Sequence, residues 1–366
     1  MGTLGLAGGI LLILFTLWDA FETVVMPRTF VSAFRLSRYY IRASSVVWFW
    51  LVKKIRGGIR EAMLGMFGPL SMLILPLFWA LGLLLGFSLI QWGLDHYWLL
   101  HPPSLAMDIL NSASCMVTLG LERSTHELWT KITSVLTAAM GLGFLALVIG
   151  YLPTLYQAFS SRETFITLLD ARTGSPPVGA LLIRRYTDAD QLEGLTSLLS
   201  EAERWAATLL ESHLSYPALT SYRSQHGCAS WLTALTTIMD ASVLLIVGME
   251  ETSPSQTQLT WQAGMTFAMA RHAVLDLAQV IVRERVIPLN TDRLTGADYT
   301  VLAAMLKSSG IDLSSHEKRA RLNRLRLEYE PVVNSIAQIL ALEVPLWLPS
   351  DGTYRALEPD SYPVSD

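Results

Sequence analysis

The residues of this 366-residue chain whose pattern most suggests chemistry are Val117-Thr118-Leu119-Gly120-Leu121-Glu122. Thr118 offers a hydroxyl and a carbonyl, Leu119 and Gly120 offer carbonyls, and Glu122 adds a carboxylate. Oxygen atoms of this kind in a row suit coordination of a dehydrated cation. Groups for covalent or metal chemistry are scattered. His213, His226, His272 and His316 lack metal-ligand spacing. Cys115 and Cys228 fall one in each half, so neither a disulfide framework nor a cysteine zinc site is expected. No Ser/His/Asp or Cys/His signature is recognisable, and no G-x-G-x-x-G follows a strand. The sequence predicts no enzyme, no bound metal and no nucleic-acid partner.

The elements that would position this row are apolar. Hydrophobic residues make up 51% of the chain and charged residues 16%, with a mean hydropathy of +0.38. Residues 1–159 hold 10 Lys/Arg and 7 Asp/Glu, net +3, and residues 160–366 hold 17 and 24, net −7. That asymmetry predicts a membrane protein with one attached soluble domain. A helix needs about 20 mainly apolar residues to cross a bilayer. Three segments qualify: 4–25, roughly 64–92 with Pro69 and Pro76, and roughly 130–159. The first has no basic residue before it and no evident cleavage site after it, so it reads as a retained helix and not a signal peptide. Position 6 is Leu, which does not support myristoylation of Gly2. A fourth run, 229–249, carries Asp240 and three Thr; it is either a span or a buried helix of the soluble domain.

Eight basic residues and no acid lie in 27–60, which places that connection in the cytoplasm by the positive-inside rule. The N-terminus and 93–129 are then outside, and everything after 160 is inside. Arginines interleaved with aromatic residues over 27–60 suit a helix in the membrane interface touching anionic headgroups; the alternative is a tilted extra span over 43–56. Asp19 and Glu22 share one face near the cytoplasmic end of the first span. Arg28 and Arg35 are candidates to neutralise them, as a structural salt bridge or as part of a sensor. No span repeats arginine every third residue, so a voltage-sensing helix is not expected.

Between the second and third long spans, Ser104 can cap a short helix over 104–117, with Asp108 favouring its first turns. A segment too short to cross, then an irregular strand over 118–122, then a span is the plan of a pore. At this point Thr118-Leu119-Gly120-Leu121 resembles the filter of the tetrameric pore-loop potassium-channel superfamily, whose signature is T-V/L/I-G-Y/F-G-D after a pore helix. The resemblance covers residues 60–160. It implies an all-α membrane protein with a pore-loop channel core, a homotetramer, and passive conduction of monovalent cations, potassium foremost, with no other cofactor. The sequence departs from the signature at Val117 (usually Thr), Leu121 (Tyr or Phe), Glu122 (Gly) and Arg123 (Asp). Glu at a left-handed position costs roughly 1 kcal/mol more than Gly, so the resemblance implies a shortened filter, Thr118 to Glu122, of weaker potassium preference. An ordinary extracellular loop is the rival reading.

The inner helix of such a module would be 129–160. Gly141 and Gly143 are candidates for its hinge or for close helix packing, and Pro153 for a kink near the cytoplasmic mouth. The resulting organisation is an N-terminal transmembrane helix at 1–26, a basic interfacial segment at 27–60, and a pore module at 61–160. A C-terminal cytoplasmic all-α domain follows at 161–345, with an extended tail at 346–366. Helical periodicity over 189–212, 256–286 and 316–343 supports that domain, which would assemble or gate the pore in response to an unknown cytoplasmic regulator. The run Lys318 to Arg326 is a solvated helix face or a surface for an anionic partner. The expected location is a multi-pass position in the cell membrane, the bacterial inner membrane.

Overall fold

The computed structural model describes residues 2–24, 48, 52, 58–98, 104–120, 128–174, 177–224, 230–282 and 292–348. Among these the secondary structure is helical, apart from one isolated antiparallel bridge between Met249 and Ile311. The chain divides into two compact units, Met1–Gln157 and Ala158–Asp366.

The first unit contains α1 (Gly2–Val24), α2 (Gly58–Trp98), α3 (Leu105–Met116) and the start of α4 (Leu128–Thr173). Apolar composition drives the long helices, and glycines set how closely they approach. Gly2, Gly5 and Gly9 of α1 face Gly86 and Gly93 of α2, and a Cβ at Gly9 would lie 2.5 Å from the Gly86 carbonyl oxygen. Small residues at such a seam let backbones meet where water gives no hydrophobic drive. Ile13, Leu83 and Phe87 fill the space beside it.

Four helices are long and apolar enough to cross a membrane: Gly2–Val24, Leu73–Tyr97 within α2, Leu128–Thr173 and Trp231–Gly248. The second apolar window therefore lies nearer the short helix than the expected 64–92. The inner helix does not end at 160. SSRETFITLLDART continues it without a breaker until Gly174, which takes φ +82° as a helix-ending glycine does. Of the basic segment 27–60, only Trp48, Val52 and 58–60 are described. Its interfacial helix, its headgroup contacts and the 43–56 alternative lie outside the described residues, as does the tail from 349.

The second unit adds α5 (Gly179–Asp188), α6 (Leu192–Ser215), a 3-10 turn (Pro217–Ser221), α7 (Trp231–Gly248), α8 (Pro254–Ile281), α9 (Gly296–Lys307), α10 (His316–Leu327) and α11 (Glu330–Leu340). Helix α7 is its axis. It is apolar on every side, and its neighbours α5, α6, α8, α10 and α11 bury 94% of it. A helix hydrophobic all round is buried wherever it is found, and here its own domain does the burying. Ser230 caps it, accepting from the Thr233 amide at 3.0 Å. Thr237, one of its three threonines, donates to the Pro177 carbonyl at 3.1 Å. Trp231–Gly248 is thus enclosed by the helices of its own unit.

Candidate functional site

Helix α3 ends at Met116 in a closed pattern. The Thr118 amide donates to Cys115 O at 3.0 Å and the Leu119 amide to Ser114 O at 2.8 Å. These two bonds define a Schellman cap, which needs a left-handed residue after the helix, usually glycine. Here that residue is Thr118, at φ +58°, and Gly120 follows at φ +64°. A β-branched residue in this region is an outlier, and such strain gathers at functional positions. The turn is not the extended strand expected from the sequence. Left-handed residues alternate with Leu119, so the backbone reverses at every second residue. Val117 and Leu119 are 69% and 67% exposed, and Thr118 and Gly120 are exposed with them. Leu121 and Glu122 lie outside the described residues.

The other face of α3 is buried and polar. Asp108, Asn111, Ser112 and Ser114 are all at most 8% exposed. Asn111 Nδ2 donates to Gln91 Oε1 of α2 at 2.9 Å, tying α3 to the outer long helix through two buried amides. Ser88 and Asp95 of α2 and Thr130, Thr133 and Thr137 of α4 are buried too. Thr133 and Thr137 turn their hydroxyls back on their own helix, Thr137 to Thr133 O at 2.7 Å. Polar residues inside apolar helices are costly and mark function more often than packing. The spacing of Gln91 and Asp95, four apart, and of Asp108 and Asn111, three apart, was the available signal.

Ser104 occupies the N-cap with extended geometry, as expected, but its side chain makes no capping bond. Asp108 stands in the first turn, as expected, and is fully buried there.

Helix α4 meets the end of α3 through one glycine. A Cβ at Gly141 would overlap the Met116 carbonyl oxygen, whereas Gly143 and Gly150 face open space. Of the two roles open to Gly141, the geometry gives it close packing. Helix α4 continues through Pro153, which cannot donate to the Ile149 carbonyl. Thr154 Oγ1 bonds the neighbouring Gly150 carbonyl at 2.9 Å. At the other end of the unit, Asp19 is 3% exposed and accepts a 2.8 Å bond from the indole of Trp79. Glu22 is buried beside it. Arg28 and Arg35 lie outside the described residues, so Trp79 is the described partner of Asp19.

In the second unit buried charges form a connected ionic network. Arg293 holds Asp240 of α7 through both terminal guanidinium nitrogens at 3.0 Å, and its Nε lies 2.6 Å from a Glu330 carboxylate oxygen as an ion pair. Arg326 bonds Glu330 at 2.8 Å and also Asp292, and the Tyr329 hydroxyl donates to Asp240. Burial works against the Arg293 charge, but Asp240 outweighs it and raises its pKa above the usual arginine value. Burial also raises Glu330, against the pull of Arg293 and Arg326. Nearby, His213 is fully buried; Nδ1–H donates to Leu209 O at 2.9 Å and Arg162 Nη1 donates to Nε2 at 3.3 Å. Burial, then the Arg162 charge, holds this imidazole well below its ordinary pKa, so it is neutral. Among the described residues no group of three His, Cys, Asp or Glu is arranged to hold a metal.

No protein-family model, curated protein or solved structure matches the chain.

Proposed function

We propose that this chain is one subunit of a homotetrameric, potassium-channel-like cation channel, conducting passively across a cell membrane. In this reading Thr118, Leu119 and Gly120 line the ion path with Leu121 and Glu122 at its outer mouth. The N-terminus lies outside, and the helical domain after 160 assembles or gates the pore from the cytoplasm. The observation that carries it is Thr118 held left-handed at φ +58° with Gly120 at φ +64°, on a short helix between two long apolar ones. Alternation of this kind turns successive carbonyls to one side, which cation coordination needs. The buried Gln91–Asn111 bond and the Gly141 contact support it by fixing where α3 ends.

A second reading, a non-conducting sensor or scaffold of the same plan, is favoured by the cap itself. The amides of Thr118 and Leu119 are spent closing α3, as in any Schellman turn. Planar-bilayer recording of purified protein in a potassium/sodium gradient separates the two. The channel reading expects current with a reversal potential displaced modestly towards that of potassium, and loss of the displacement in Thr118→Ala. Silent bilayers from protein that native mass spectrometry shows to be tetrameric would favour the scaffold. A protein found only as monomer or dimer would sink the pore.

A further inference from the structure

The basic face of α10 lies outside that reading. Arg321 and Arg324 are exposed along it with Glu317 between them, Arg319 stands exposed at its far edge, and Leu327 at its end is 72% exposed. Arg319 lies over the Tyr299 ring, 4.7 Å from its centroid. Arg321 and Arg324 have no ion-pair or hydrogen-bond partner among the described residues. This face belongs to the half of the chain with net charge −7, so its sign runs against its surroundings.

The chain itself delivers a complement. Trp347 is 2% exposed and lies under two arginines, 5.3 Å from Arg326 of α10 and 5.5 Å from Arg293. Arg293 Nη1 bonds the Pro345 carbonyl at 2.8 Å, and Thr233 Oγ1 bonds the Glu343 carbonyl at 2.9 Å. Residue 348 is therefore fixed within one residue of the α10 contact. The 18 residues that follow, 349–366, carry Asp351, Glu358, Asp360 and Asp366 against Arg355, a net −3. Their Tyr354, Leu357 and Tyr362 can meet Leu327. Helix α10 is about 18 Å long at 1.5 Å per residue, and 18 extended residues reach roughly 60 Å, so the whole face is within range.

We propose that residues 349–366 dock along the exposed basic face of α10, as an intramolecular ligand that any other anionic partner must displace. Tethering supplies an effective concentration on the millimolar scale, so pairs that are individually weak suffice. Salt opposes the contact, because exposed charges are screened beyond about 10 Å at 0.1 M.

The test uses the full chain in neutral-lipid nanodiscs, with p-benzoylphenylalanine replacing Leu327 and mass spectrometry locating its photocrosslinks. Crosslinks to 351–362 are expected at low salt. Arg321→Glu with Arg324→Glu should cut their yield roughly tenfold, and Asp351→Lys with Glu358→Lys and Asp360→Lys should restore it. These positions are exposed or beyond the packed core, so unchanged circular dichroism checks the fold. Tail crosslinks that are absent, or indifferent to charge reversal, overturn the proposal. Crosslinks to lipid in place of the tail even in neutral nanodiscs overturn it in favour of a membrane-binding face.

Discussion

In Met1–Gln157 the described buried polar side chains include neutral or half-charged ties between helices, such as Asn111 to Gln91 and Trp79 to Asp19, whereas in Ala158–Asp366 several carboxylates join one ionic network around Arg293 and Arg326. The exposed surfaces differ in the same sense. Leu142, Leu145 and Ile149 of α4 point outward from the first unit, while the second unit's apolar helix α7 is enclosed. The first unit gains cohesion from close backbone approach at glycine, the second from an apolar core closed by paired charges. A unit whose outward surface is apolar needs a lipid or protein environment to complete it.

The contrast breaks most sharply at Asp240. Asp240→Asn leaves Arg293 short of a buried counter-charge, and removing one partner of a buried pair costs about 3–5 kcal/mol. Thermal unfolding of the full chain, followed by tryptophan fluorescence, should show the loss of the second unit first. Within the first unit the corresponding lesion is smaller. Asn111→Leu leaves the buried Gln91 amide without its described partner, at about 1–3 kcal/mol. Gln91→Leu with Asn111→Leu should recover most of that stability, because both polar groups go; a double-mutant cycle measures the coupling.

Gly141→Ala should force α3 and α4 apart at about 1–3 kcal/mol, while Gly143→Ala should be neutral or slightly stabilising. Equal effects from the two would break the close-approach argument. The smallest effect is pH-dependent. The folded state holds His213 neutral, so the unfolded state binds the extra proton once pH falls below about 6.5. Stability is therefore full above that pH and declines below it by up to roughly 1.4 kcal/mol per unit. His213→Gln should flatten the slope in denaturant titrations.

How legible all this was differs by unit. Apolar runs marked the helices of the first that are long and apolar enough to cross a membrane, since length and composition suffice for that. The glycine seam of α1 and α2 was visible as residues yet could not be assigned, because its meaning depends on which helix lies opposite. The backbone at Thr118 was not legible: a TLG string does not say whether the helix ends in a cap or a strand. Asp108 is the first-turn acid that the sequence marked, but its burial was not legible, because spacing alone cannot tell which face of a short helix is covered. In the second unit the helices followed from periodicity. Arg293 went unnoticed because its partners Asp240 and Glu330 lie 53 and 37 positions away, and only folding brings them together.

Helix α7 has a consequence during synthesis. Its 18 residues, Trp231–Gly248, are as long and apolar as some true spans, so insertion machinery meets a segment it could accept. Only α5 and α6 of its cover precede it in the chain; α8, α10 and α11 are made later. Asp240 stands near its middle, where an aspartate costs about 2.5–3.5 kcal/mol against entry into a bilayer. The carboxylate that ties α7 to Arg293 thus also weighs against entry of the nascent helix into a bilayer before its partners arrive.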